Sequence, residues 1–225
     1  MQLPVILVNF KTYPEGRGKR GILLAKAAEN VSSEYSVNIA VAPQLLDTIN
    51  IAQNVEIPVF SQHIDTKEPG SATGHIDAYT LREFGVSGTL LNHSERQINL
   101  RTIEEAISIA KDAKLKTLVC AGTIPMSQAV SILKPWAVAM EPPELIGGDV
   151  SVTTRPNIVK LAVEAVTNGN PDTLPFIGAG VKKADHVDAA IQLGAKGVLL
   201  ASGVVKASDP EFVMTEMAKI LKTVK

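Results

Sequence analysis

Apolar residues in this chain fall into short uncharged runs, separated by longer stretches in which they recur every three or four positions. The runs occupy 5–10, 37–42, 58–61, 88–91, 117–121, 137–140, 174–177 and 197–200. A run apolar at both alternating parities reads as a strand buried on both faces. The intervening stretches carry helical spacing. Ile103, Ala106, Ile107 and Ala110 follow i, i+3, i+4, i+7, with Thr102 and Glu105 framing a capping box. Ile158, Leu161, Ala162, Ala165 and Val166 form another stripe, with Thr154 as cap, Pro156 just inside and Gly169 as the stop. Val187, Ala190 and Ile191 share a face that ends at Gly194. Val213, Met217, Ile220, Leu221 and Val224 face inward in the last stretch, where Ser208 and Glu211 pair around Pro210. The stretch after the third run has the faintest helical spacing.

Strands alternating with helices imply parallel β-α units. Eight such units in 225 residues fit a closed α/β barrel of the (β/α)8 type, with residues 1–225 as one domain. An open, doubly wound sheet of the same units is the alternative. No linker, composition break or low-complexity tract divides the chain.

Composition narrows the function. Lys and Arg number 22 against 23 Asp and Glu, a formal charge of −1, and no basic block suggests nucleic acid or an anionic membrane. No segment approaches the ~20 apolar residues of a membrane span. Cys120 is the single cysteine, so neither an intrachain disulfide nor a cysteine metal cluster can form. The first ten residues carry no secretory pattern. A soluble, reduced, cytoplasmic protein is expected.

A barrel of this kind collects its chemistry at the C-terminal ends of its strands. There the chain offers Asn9-Phe10-Lys11, Asn92-His93-Ser94-Glu95-Arg96, Glu141, Gly178-Ala179-Gly180 and Ala201-Ser202-Gly203. The two small-residue turns expose backbone N–H groups suited to a phosphate dianion. Lys183 stands where a dinucleotide fingerprint needs its third glycine. A carboxylate, a neutral imidazole and a lysine suit proton abstraction beside a carbonyl: base, hydrogen-bond donor and oxyanion stabiliser. Glu141 ends an uncharged run and is followed at once by Pro142 and Pro143, which stop strand and helix alike. Residues 144–146 and the permissive Gly147-Gly148 then read as a hinged cover; taken alone, a capped or salt-bridged Glu before an ordinary loop fits as well. His63 reads as a hydrogen-bonded loop residue, His186 as a solvated surface residue and Cys120 as inert packing. Trp136 is open to two readings, packing the base of the cover or sitting at the rim. These histidine spacings match no helical zinc motif, so no metal is expected.

These separated motifs, in this order along the whole chain, resemble triosephosphate isomerase. The resemblance implies a TIM barrel that interconverts dihydroxyacetone phosphate and D-glyceraldehyde 3-phosphate, in glycolysis and gluconeogenesis, with no cofactor. It further implies Glu141 as base, His93 as neutral electrophile and Lys11 as cationic stabiliser, with Asn9 beside the substrate oxygens. Gly178, Gly180, Ala201 and Ser202 match the phosphate-binding backbone, Ile146 and Gly147 the mobile lid, and Glu95 a supporting acid near Lys11. Residues 70–74 are similar to a loop whose threonine, here Thr73, enters a neighbouring subunit's site; His75 then falls in that interface region. A homodimer or homotetramer is implied, with triose phosphate as the small-molecule partner.

The departures point to one branch. The chain is compact, no tryptophan stands at residues 143–145, Cys120-Ala121-Gly122-Thr123 lacks the usual glutamate, and Gly178-Ala179-Gly180 replaces a Gly-Gly-Ser turn. These features are similar to the archaeal form, which is often tetrameric. Two other readings were weighed. Another phosphate-binding barrel would share the last two turns without needing Lys11, His93 and Glu141 together. A binder without turnover has no use for acid, imidazole and lysine around one phosphate cup. Closure of the lid would exclude water and keep an enediolate phosphate from eliminating its phosphate. Deleting residues 144–147 is therefore expected to lower turnover and release methylglyoxal. Unchanged product partitioning in that deletion would sink the lid assignment.

Overall fold

A computed structural model describes residues 3–142 and 151–223. All eight apolar runs are strands: β1 (Val5–Asn9), β2 (Asn38–Ala42), β3 (Phe60–Ser61), β4 (Gly88–Leu91), β5 (Lys116–Ala121), β6 (Ala137–Met140), β7 (Leu174–Ile177) and β8 (Gly197–Leu200). They pair in parallel in the order β2-β1-β8-β7-β6-β5-β4-β3. A parallel bridge between Val41 and Val59 joins the two ends of this sheet, with Val41 N–H donating to the Pro58 carbonyl at 3.1 Å. The sheet is a barrel, and the open-sheet alternative is set aside.

The helices outside it include α1 (Gly18–Tyr35), α2 (Thr48–Ala52), α3 (Ala78–Glu83), α4 (Leu100–Asp112), α5 (Ile124–Ser131), α6 (Pro156–Gly169), α7 (Ala184–Gln192), α8 (Ser202–Val205) and α9 (Pro210–Thr223). Among the described residues, no helix is long and apolar enough to cross a membrane.

Alternation along each strand divides the core. Val5, Leu7, Ala40, Leu90, Leu118, Ala137 and Leu199 fill the barrel. Ile6, Val8, Ile39 and Val41 point outward into the shell under the helices. Phe60 and Phe176 occupy the inside, and Trp136 lies between them at centroid distances of 5.8 and 5.4 Å. Trp136 precedes β6, so it closes the end of the barrel opposite the strand C-termini. That excludes a place under the lid.

Several local expectations need correction. Asn99, not Thr102, caps α4, accepting from Thr102 N–H at 2.9 Å. Glu105 instead pairs with Arg101 at 2.9 Å. Thr154 does not cap α6; its hydroxyl donates to the Ser151 carbonyl at 2.8 Å, and Arg155 holds the cap position without a side-chain bond. Asp209 rather than Ser208 meets the start of α9, through Phe212 N–H at 2.9 Å. Leu161 is half exposed and Val159 takes the inward position, because the contact stripe of α6 is rotated by one residue pair from the one its apolar residues suggest. Val224 lies outside the described residues.

Two glycines make room for the internal aromatics. A Cβ on Gly88 would sit 2.4 Å from Phe60 Cε1, and one on Gly197 would sit 2.4 Å from Phe176 Cε1 and 2.6 Å from the Val5 carbonyl oxygen. Each β-strand glycine thus faces the phenylalanine of the neighbouring strand. Gly197→Ala is expected to destabilise the barrel by at least about 1–3 kcal/mol, seen as a lower urea midpoint. Adding Phe176→Leu should recover only part of the loss, since the Val5 carbonyl remains in place.

Candidate active site

Each strand ends where its exit turn exposes backbone, so the C-terminal mouth is built from eight such turns. Lys11 follows β1 with φ 47, a left-handed conformation costly for a residue with a Cβ. Four bonds hold it there. Its N–H donates to Asn9 Oδ1 at 2.9 Å. Gln62 Nε2 donates to Asn9 Oδ1 at 3.1 Å and to the Lys11 carbonyl at 3.0 Å. Lys11 Nζ lies 2.6 Å from Glu95 Oε1. Gln62 was not marked as a site residue in the sequence, because a glutamine after a strand carries no signal of what its amide will bridge.

His93 and Asn92 leave β4 in the same manner. Asn92 has φ 58, donates to the Cys120 carbonyl at 2.9 Å and accepts Ile98 N–H at 3.0 Å. This pins the turn so that the buried His93 ring points into the mouth. The Glu95 N–H donates to His93 Nδ1 at 3.2 Å. With Nδ1 acting as acceptor, the ring proton sits on Nε2.

Glu141 ends β6 and is only 6% exposed. Its N–H donates to the Ala121 carbonyl at 2.9 Å. Its Oε2 is 3.8 Å from His93 Nε2, too long for a hydrogen bond, and this buried oxygen has no hydrogen-bond partner among the described residues. Gly178 makes space for it: a Cβ there would lie 2.4 Å from Glu141 Cγ. Cys120 lies against the same carboxyl group, and burial first, then Glu141, holds its thiol well above the usual range. A neutral, buried thiol is unreactive, as expected of packing.

The phosphate-type turns close the other side. Ala179 and Gly180 are both left-handed, at φ 64 and 71. They line a cleft of ≈ 440 Å³ together with Asn9, Lys11, His93, Glu141, Ala201 and Ser202. Ser202 opens the short helix α8, whose first N–H groups have no intrahelical partner by position. Gly178 belongs to the base rather than to this lining. Tyr13 and Lys182 also line the cleft. Tyr13 carries Lys206 Nζ 4.4 Å over its ring, and neither residue was marked in the sequence.

His186 differs from expectation. It is half-buried, and its Nδ1 accepts Lys182 N–H at 3.2 Å. His63 is buried beside Asp65, at 3.5 Å, as a hydrogen-bonded loop histidine should be; burial, then Arg96, lowers its affinity for a proton. His75 is exposed and lies 3.5 Å from the other Asp65 oxygen. Thr73 is exposed and lines no part of its own chain's cleft. Ile146 and Gly147 lie outside the described residues. No group of three or more His, Cys, Asp or Glu is arranged to hold a metal ion among the described residues.

The family model described as triosephosphate isomerase matches residues 4–223. The triosephosphate isomerase of Methanocaldococcus jannaschii is 47% identical over 218 residues, covering 96% of this chain and all of the relative. That of Methanosarcina mazei is 45% identical over 222 residues, covering 98% and 100%. That of Pyrobaculum arsenaticum is 43% identical, covering 98% and 99%. Among solved structures, triosephosphate isomerase from Bartonella henselae superposes with a TM-score of 0.76 at 15% identity, over 96% of this chain and 98% of that one; this likeness speaks to the fold. With the family model spanning the barrel from β1 to α9 and full-length relatives well above 40% identity, the chain belongs to the triosephosphate isomerase family.

Proposed function

We propose that this chain interconverts dihydroxyacetone phosphate and D-glyceraldehyde 3-phosphate by proton transfer through an enediolate, as a step of glycolysis and gluconeogenesis. The observation that carries the reading is Glu141 Oε2, which has no hydrogen-bond partner among the described residues and is buried in the cleft that His93 and Lys11 also line. A buried carboxylate oxygen without a partner is expensive unless a ligand group meets it.

The steps follow from the donor and acceptor inventory. Glu141 takes a proton from the carbon beside the substrate carbonyl. His93 Nε2–H donates to the carbonyl oxygen as negative charge develops there, and the Lys11 ammonium stabilises that charge and draws in the phosphate. Glu141 then returns the proton to the adjacent carbon, while His93 Nε2 gives its proton to the former carbonyl oxygen and takes the one on the neighbouring hydroxyl, so the two oxygens exchange roles and no atom is gained or lost. This division of labour is the family's established electrostatic scheme. Asn9 orients the substrate oxygens, Glu95 sets the position of Lys11, Gly180, Ala201 and Ser202 supply the phosphate turns, and Gly178 makes room for the base. The reaction needs neither metal nor cofactor, because the carbonyl already acidifies the transferred proton.

The functional unit is a homodimer or homotetramer of one-domain barrels. A second cleft of ≈ 710 Å³ beside the first shares Asn9, Lys11 and His93 with it. That cleft suits reception of a neighbour's loop carrying the exposed Thr73. A cytoplasmic location fits the lone buried thiol of Cys120, which calls for no oxidising compartment.

A phosphorus NMR time course with D-glyceraldehyde 3-phosphate, without added metal or cofactor, should show conversion to dihydroxyacetone phosphate; a folded sample that converts nothing would overturn the reading. Glu141→Gln should lower kcat by about 10²–10⁴-fold or more while still binding phosphoglycolate. An active Glu141→Gln protein would remove Glu141 from the role of base.

A further inference from the structure

The phosphate turn after β7 is braced from outside the cleft. Lys183 holds the N-cap position of α7 and makes no capping bond with its side chain. In its place His186, in the first turn of α7, reaches back so that Nδ1 accepts Lys182 N–H at 3.2 Å. A capping box works in the same sense, with a side chain in the first helical turn satisfying a backbone donor at the helix start. Here the donor belongs to the turn that lines the cleft.

Lys182 is also where the two turns meet. A Cβ on Gly203 would lie 2.6 Å from Lys182 Cα and 2.9 Å from its carbonyl oxygen. The backbone at Lys182 therefore rests directly on the turn after β8. Fixing Lys182 fixes how Ala179-Gly180 and Ala201-Ser202 face each other across the cleft. The left-handed pair Ala179 and Gly180 has no strand pairing to hold it, so an external brace has a mechanical purpose.

We propose that His186 is a positioning residue for substrate phosphate: its neutral ring, by accepting Lys182 N–H, holds the β7 and β8 turns in the arrangement that binds the dianion. This rests on the isomerase reading above and names a residue that acts through the turn, without touching substrate.

The ring's surroundings define its proton dependence. Burial first, then the Lys183 ammonium, moves the His186 pKa below the ordinary imidazole value, with Lys182 acting in the same direction. The Gly180 backbone and Asp185 oppose this, and Asp185 is partly engaged by Lys183 Nζ at 3.3 Å. The ring therefore stays neutral to more acid pH than a free histidine. Once protonated, Nδ1 carries hydrogen and can no longer accept from Lys182, while the ring gains a donor toward the Gly180 backbone. Protonation thus releases the brace on Lys182. Phosphate affinity conferred by the brace is present above the His186 pKa and is lost as pH falls through it.

The test compares wild type, His186→Ala and His186→Asn. Asn offers an amide oxygen near the position of Nδ1 and does not titrate; Ala offers no acceptor. At pH 8, His186→Ala should raise KM and the Kd for phosphoglycolate roughly five- to tenfold, the worth of one net hydrogen bond, with kcat within about twofold of wild type. His186→Asn should restore most of that affinity. Substrate phosphate titrates near pH 6 in all three proteins, so the ratio of wild-type to His186→Asn affinity is the readout against pH. It should fall, in the wild type's disfavour, as pH is lowered below the ordinary imidazole range. A His186→Ala protein with unchanged Kd, or with kcat falling instead of affinity, would overturn the proposal, as would a pH-independent ratio. A wild-type protein that neither isomerises nor binds phosphoglycolate would overturn the isomerase reading itself, a result distinguishable from a failure confined to the variants.

Discussion

Everything in this molecule depends on closing a parallel sheet on itself. Parallel strands are buried on both faces and cannot leave an edge in water without exposing a row of unpaired backbone groups. Closure between Val41 and Val59 removes that edge. With every strand pair parallel, closure brings the C-terminal ends of all eight strands to one rim. Lys11, His93 and Glu141, separated along the chain by 82 and then 48 positions, become neighbours for this reason. The opposite end is sealed by Trp136 between Phe60 and Phe176.

Within that frame the mouth holds groups in conformations the chain would not choose by itself. Lys11 and Asn92 are left-handed without being glycine, each over-determined by side-chain amide bonds from Gln62 or from Asn92 itself. Glu141 is buried with one oxygen unmatched among the described residues. Strained backbone and an unsatisfied carboxylate both cost stability. They are affordable because the barrel beneath is fully packed, and together they pre-arrange a base, a donor and a cation around an oxygen that has not yet arrived.

The phosphate side follows a different logic. Its turns are small-residue backbone at Ala179-Gly180 and Ala201-Ser202, so their usefulness lies in backbone direction, which must be held from behind. Gly178 yields its Cβ position to Glu141, Gly203 yields its own to Lys182, and His186 secures the Lys182 N–H. Base, turn and helix start are thus mechanically continuous. A substitution at any of them reaches the cleft without touching a ligand.

Much of this was legible before any fold was known. Eight uncharged runs marked eight strands because burial on both faces leaves no polar alternation, and Glu141, His93 and Lys11 stood out as chemistry placed at strand ends. Helix caps were less legible: Asn99 and Asp209 took positions assigned to Thr102 and Ser208, because neighbouring residues of similar capping ability differ only in which one the incoming loop turns toward the helix. Gln62, Tyr13 and Lys182 were silent in the sequence and His186 read there as a solvated surface residue, since each gains its role from a partner on another turn or from the direction its element approaches the rim. By itself, then, the sequence determined the parallel β-α units, their strand count and the reactive groups, all properties of local pattern and residue type, while closure of the sheet into a barrel rests on the contact between Val41 and Val59. Only the tertiary structure decided which lone pairs are free, which backbone donors are held and which glycines must remain glycine, because those depend on distances between segments that no spacing along the chain encodes.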